Sequence, residues 1–311
     1  MTFERIRHRL VTGRPIVVDS DTCASFRARG LALDSPGALG LLLREHPEEV
    51  LAHYRTEIMS RVDVVSALTA DTTPRALAEV GMQHRAAQLT GRAVELALEA
   101  ASETGKPVAI AGVLGSDMVS PVAADRLHEE LTEHAERLAA AGCELLLTRG
   151  QGSRLGLMAA VVAAARTELP TWAVVECSAA DDAVLLNPTE LVAALADAGA
   201  TAVLFEVPHV NLGLHALEQF RTALEQHGVA PGVFLAGSEA SVRGFDDSHS
   251  DPERWAERAL DLSIGGARVI GSGAGTTEAH TRALALALGS LHPSMPARAS
   301  DTGFDGEPGN W

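Results

Sequence analysis

The chain has 311 residues, with 41 Asp and Glu against 25 Lys and Arg, a formal net charge of −16. Its hydrophobic fraction of 46% supports a real core and excludes disorder throughout. A pI near 5.1 without a basic cluster leaves nothing to neutralise phosphates, so neither nucleic acid nor an anionic membrane surface is expected as a partner.

Residues 1–14 form an N-terminal segment containing Arg5, Arg7, His8, Arg9 and Arg14. It has no apolar stretch and no small-residue cleavage site, so it does not read as a signal peptide, and a cytoplasmic location is expected. From residue 15 onward, short β-branched runs alternate with longer segments rich in alanine and leucine. The runs predict strands at 15–18, 63–68, 107–111, 144–148, 171–176, 202–207, 232–236 and 268–271. The segments between and after them predict helices at 37–54, 74–102, 121–141, 153–168, 188–198, 213–227, 252–263 and 276–291. Pro74, Pro121, Pro188 and Pro252 stand near helix starts, where a missing N–H costs nothing. Gly142, Gly199, Gly228 and Gly265 stand just past helix ends, where a left-handed residue is wanted.

Strand followed by helix, eight times, predicts an α/β protein with a single-domain (β/α)8 TIM barrel over residues 15–291. Residues 292–311, rich in Pro, Gly, Ser and Asp, read as a disordered tail. Cys23, Cys143 and Cys177 are odd in number and widely spaced, which suits reduced thiols.

A barrel of this type builds its site at the C-terminal ends of its strands. Those ends carry Asp19, Ser20, Asp21, Thr22 and Cys23, then Thr69 and Asp71, Arg149 and Gln151, Glu176 and Cys177, Glu206 and His209, Glu239, and 272–276 including Gly273 and Ala274. Carboxylates dominate. Each taken singly reads as a solvated rim residue; gathered on one face they suit holding an ammonium or sulfonium group, or removing a proton from a nucleophile. The polar stretch 243–251 reads as a candidate lid.

Four segments carry a family resemblance. Residues 17–30, with Asp19 and Thr22, are similar to an opening DGG-x-x-T pattern. His53 and Tyr54 followed by 62–69, and then 111–115, resemble two further stretches of the same family. Residues 266–277 run Gly-Ala-Arg-Val-Ile-Gly-Ser-Gly-Ala-Gly-Thr-Thr, with His280 beyond, close to GAR-x-IGGCCGTTP-x-H. The family they resemble is that of the homocysteine S-methyltransferases, also called the homocysteine-binding domain.

That resemblance implies transfer of a methyl group from a sulfonium or related donor to a thiol. It also implies zinc held by one cysteine after the sixth strand and a cysteine pair after the eighth. Those positions fall on Val207, Gly273 and Ala274. The expectation is therefore a divergent member that acts on a small amino-acid-like or sulfonium substrate without the three-cysteine zinc site, and with no cofactor. Zinc is open only through relocated ligands such as Cys23, Cys177 and His209, and magnesium through Asp19, Asp21, Glu176 and Glu206. Glu206 and Asp19 are the candidate catalytic residues, Glu206 as base or charge stabiliser. Asp21, Thr22, Arg149, Glu176, His209, Glu239, Gly273 and Ala274 are the candidate substrate-binding set. Arg149 would hold a substrate carboxylate or pair with a neighbouring acid. A binding barrel without turnover, a partner subunit, homocysteine methylation with relocated zinc, and a homo-oligomer all remain open at this point.

Overall fold

The computed structural model describes residues 2–13, 15–31, 33, 35–115, 123–150, 153–177, 187–237 and 251–291. Eight parallel strands close into a barrel in chain order: β1 Ile16–Val18, β2 Val64–Ala67, β3 Ala109–Leu114, β4 Leu145–Thr148, β5 Thr171–Glu176, β6 Ala200–Val207, β7 Ala230–Leu235 and β8 Val269–Ser272. β8 returns to β1, with Ile16 opposite Val269 and Val18 opposite Gly271. The expected barrel is therefore the observed one.

Side chains alternate along each strand, so every strand feeds two cores. Ile16, Val18, Leu145, Trp172, Val174 and Leu204 fill the barrel interior. Val17, Val65, Ile110, Val203 and Val233 point outward and pack under the helices. The main helices of that outer layer are α3 Ala38–Glu45, α4 Pro47–Met59, α6 Ala86–Thr104, α7 Ala124–Ala141, α8 Arg154–Ala165, α9 Pro188–Asp197, α10 Val210–His227, α11 Pro252–Ile264 and α12 Glu278–Leu291. Pro188 and Pro252 begin α9 and α11, as expected.

Three departures from the sequence reading have local causes. The helix expected over 37–54 is broken at His46, whose φ of −135° precedes Pro47; a residue before proline is driven out of helical geometry. The segment 74–102 divides into α5 Pro74–Ala78, a 3-10 turn Gln83–Arg85, and α6, with Gly81 left-handed between them. The N-terminal segment holds a helix, α1 Thr2–Thr12. Phe3, Ile6 and Leu10 recur at helical spacing and pack against the interior cluster from the N-terminal end of the barrel. Arg5 and Arg9 bond Asp63, fastening α1 to the approach to β2. α2 Thr22–Ala28 is a further short helix, lying within the 17–30 segment.

One buried polar contact reaches from the helical layer toward the strand ends. His134 of α7 is fully buried, and its Nε2 lies 3.0 Å from the Thr69 carbonyl oxygen, just past β2. Burial pushes its pKa down to about 4. The neutral imidazole therefore contributes stability above pH 6.5, and that contribution is lost as pH falls from 6.5 toward 4. The loss is on the order of 2 kcal/mol near pH 5. Urea melts of wild type and His134→Gln across this range are expected to show a smaller acid-side loss in the variant; parallel curves would exclude His134 as its source.

Candidate functional site

A cavity of about 300 Å3 opens at the C-terminal ends of the strands. Its polar wall includes Asp19, Asp21, Asp71, Arg149 and Glu206, and its apolar wall includes Leu39, Leu68, Val113 and Phe234.

Asp19 follows β1 directly and is only 2% exposed. Its two carboxylate oxygens accept hydrogen bonds from the Ser66 backbone N–H and hydroxyl of β2, both at 2.7 Å. Desolvation raises its pKa to about 6, although the two Ser66 bonds pull the other way. Asp19 is thus ionised at neutral pH, within a window that mild acid reaches.

Asp21 caps α2: one oxygen accepts from the Cys23 N–H at 2.9 Å. The other accepts from the Gly275 N–H at 2.9 Å, and the Asp21 N–H donates to the Thr276 hydroxyl at 3.2 Å. Two loops 254 residues apart in the chain are thereby sewn together. Next to this seam lie Gly273 and Ala274. A Cβ on Gly273 would stand 2.9 Å from the Leu235 carbonyl carbon, so close approach to the end of β7 demands glycine there.

Arg149 follows β4, its N–H bonded to the Leu114 carbonyl. Nη1 meets Glu206 Oε2 at 2.7 Å, and the guanidinium stands 6.0 Å from the centre of the Phe234 ring. Glu206 and Phe234 are register partners on β6 and β7, which explains how one cation reaches both. Gly115, at φ +100°, lets the chain pass close beside Arg149: a Cβ there would lie 2.4 Å from the Arg149 carbonyl oxygen.

The cavity therefore brings together Asp19, Asp21, Thr22, Arg149, Glu206, Gly273 and Ala274 from the sequence-derived set. Glu176 ends β5 as an exposed side chain outside the cavity wall. His209 is also outside it and caps α10, its Nδ1 accepting the Leu212 N–H at 3.2 Å. Glu239, Gln151 and most of the 243–251 stretch lie outside the described residues. Ser66 and Phe234 were not singled out by sequence reading. Asp71 stood at a strand end but was not placed in the candidate set; its position two residues after Thr69 was the available signal.

The thiols do not form a centre. Cys177 is buried, and Cys23 faces the cavity with its pKa pushed up to about 12 by burial, reinforced by Asp21 and Asp71. Among the described residues, one group of three or more His, Cys, Asp or Glu has ligand atoms within 4.8 Å of one another, and it is His53, Glu57 and Glu278. Neither Cys23, Cys177 and His209 nor Asp19, Asp21, Glu176 and Glu206 converge in that way.

The family described as homocysteine S-methyltransferase matches residues 20–288. The chain belongs to the homocysteine S-methyltransferase family. No curated protein matches it. Among solved structures it is similar to the homocysteine methyltransferase MmuM from Escherichia coli. The metallated form is 17% identical with a TM-score of 0.71, over 88% of this chain and 96% of that one. The oxidised form is 18% identical with a TM-score of 0.72, over the same shares of the two chains. The carboxyl transferase domain of pyruvate carboxylase from Rhizobium etli shares the fold at 13% identity and a TM-score of 0.53, over 87% of this chain and 41% of that one. Identities this low show the barrel alone; family membership rests on the family match.

Within this family member Asp21 is both a helix cap and an inter-loop tie. Asp21→Ala is expected to cost about 1–3 kcal/mol in urea unfolding. A loss under about 0.5 kcal/mol would show that the seam does not depend on it.

Proposed function

We propose that this member transfers a methyl or related alkyl group from a sulfonium donor to a small amino-acid acceptor in the cavity, without zinc held by three thiolates. Two features support the zinc-free part. Gly273 and Ala274, at the positions the resemblance assigns to a cysteine pair, line the cavity but offer no side-chain ligand. Val207, at the third position, is buried among the outward-facing core residues. The residues present thus do not fit a thiolate-held metal.

The observation that carries the reading is the Arg149–Glu206 pair in the cavity wall. Among the described residues lining it, four carboxylates, Asp19, Asp21, Asp71 and Glu206, face one guanidinium. The surplus negative charge suits a sulfonium or ammonium group. Arg149, 30% exposed, can accept the carboxylate of an amino-acid substrate in place of Glu206. That exchange would free Glu206 as a base just as the substrate settles. In the transfer, the acceptor's lone pair forms the new bond to the methyl carbon, the donor's S–C bond breaks, and its electron pair returns to sulfur. Glu206 takes the acceptor's proton. An unassisted thiol, with a pKa of about 8.5, needs such a base at neutral pH.

Turnover is tested with S-methylmethionine or S-adenosylmethionine as donor and homocysteine among the acceptors. Glu206→Gln is expected to lower kcat about 10²–10⁴-fold. Arg149→Met is expected to act mainly on KM for acceptors bearing a carboxylate. Unchanged kinetics in both variants would remove the proposed roles. Ligand-induced thermal stabilisation without methylated product would favour a binding barrel instead.

Asp19 sets a pH dependence. Its carboxyl gains a proton as pH falls through about 6, so affinity for a sulfonium ligand is expected to weaken below that pH. Calorimetric titration of Asp19→Asn should give a flatter profile over the same range. An equally steep profile in the variant would assign the effect to another group.

A further inference from the structure

His53 and Glu57 stand one helical turn apart on α4 and so project from one face. Glu278 opens α12 against them. Both α4 residues are fully buried. One ligand-capable atom from each of the three lies within 4.8 Å of the others. The group sits just behind the cavity wall: Glu57 Oε1 accepts from the Ser20 N–H at 3.2 Å and from the Ser20 hydroxyl, and Ser20 lines the cavity.

The hydrogen bonds of this cluster leave lone pairs unused. His53 Nδ1 lies 3.2 Å from Glu278 Oε1, which also meets Arg29. That spacing is one that two ligands of a single ion can share, the ion taking the place of the ring proton on Nδ1. His53 Nε2 and Glu57 Oε2 are both buried and have no hydrogen-bond partner among the described residues. Two unpartnered polar atoms in one buried cluster are costly, and an ion held by the Glu57 carboxylate would remove part of that cost.

We propose that His53, Glu57 and Glu278 bind one divalent transition-metal ion of the zinc and manganese class. One imidazole nitrogen with two carboxylates suits these ions better than copper(I), which prefers sulfur, or magnesium and calcium, which take oxygen. The side chain of Glu278, 14% exposed, provides the way in. The bound ion ties α4 to the start of α12, 225 residues away in the chain, and through Glu57 it steadies Ser20 at the cavity edge. The site shares no position with the thiolate ligands implied by the family resemblance, and it stands or falls apart from the proposed methyl transfer.

Full-length protein dialysed against EDTA is titrated with Mn2+ and, separately, Zn2+ by calorimetry. One equivalent per chain is expected, and excess ion should raise Tm by on the order of 5 °C at about a hundred times Kd. Glu57→Gln and Glu278→Gln are each expected to weaken binding about tenfold or more, whereas Cys177→Ser and His209→Ala should keep the full equivalent. Because a buried variant can fail to fold, pulsed EPR of the Mn2+-loaded wild type gives a second reading: nitrogen hyperfine coupling from one coordinated imidazole is expected. Absence of a bound equivalent, a Mn2+ spectrum without nitrogen coupling, or binding that survives in folded Glu57→Gln but disappears in Cys177→Ser would overturn the proposal.

Discussion

Closure of the barrel at β1 is the constraint on which the rest depends. β1 has only three residues, and its ladder with β2 registers at a single pair, Val18 opposite Val64. Carboxylates supply what this short strand cannot. Asp63 exchanges backbone and side-chain bonds with Val17: its N–H donates to the Val17 carbonyl at 2.8 Å, and its Oδ2 accepts the Val17 N–H at 3.0 Å. One step further along, Asp19 grips Ser66 of β2, and Asp21 then reaches across to the loop after β8. Three acids at successive heights thus hold the seam where the first strand meets the second and the last.

Two of those acids also border the cavity, so closing the fold and charging the site use the same atoms. This explains why Asp19 survives in a buried position despite the desolvation that raises its pKa: its hydrogen bonds to Ser66 offset part of the cost. It also ties the proposed ligand preference of the cavity to the architecture. A surplus of carboxylate that is needed for closure leaves a field suited to a cation, and Arg149 is bound to Glu206 at its edge. Behind the same wall, Ser20 links the cavity edge to the buried Glu57.

Much of the fold was legible because its signals are local. β-branched runs bounded by Gly, Asp or Ser, with proline at helix starts, placed all eight strands to within about three residues of their ends. What escaped was α1, whose Phe3, Ile6 and Leu10 spacing is visible but whose docking surface is a barrel mouth assembled from many strands. The helix break at Pro47 and the division around Gly81 were readable from residue type, but the apolar run across each segment masked them. At the site, strand-end positions were legible because this architecture gathers them on one face. Glu176 and His209 fit that rule equally well in sequence, yet one is exposed and the other serves as a helix cap.

The sequence alone determined the alternation of strand and helix, the acid-rich strand ends and the absence of thiols at Val207, Gly273 and Ala274. These depend on residue type and on spacing over a few turns. Only the tertiary structure decided which acids meet which partners. Asp21 and Gly275 are separated by 254 positions, Arg149 and Glu206 by 57, and His53 and Glu278 by 225. Such pairings follow from barrel register and the direction of each side chain, and neither is expressed in the periodicity of a single segment.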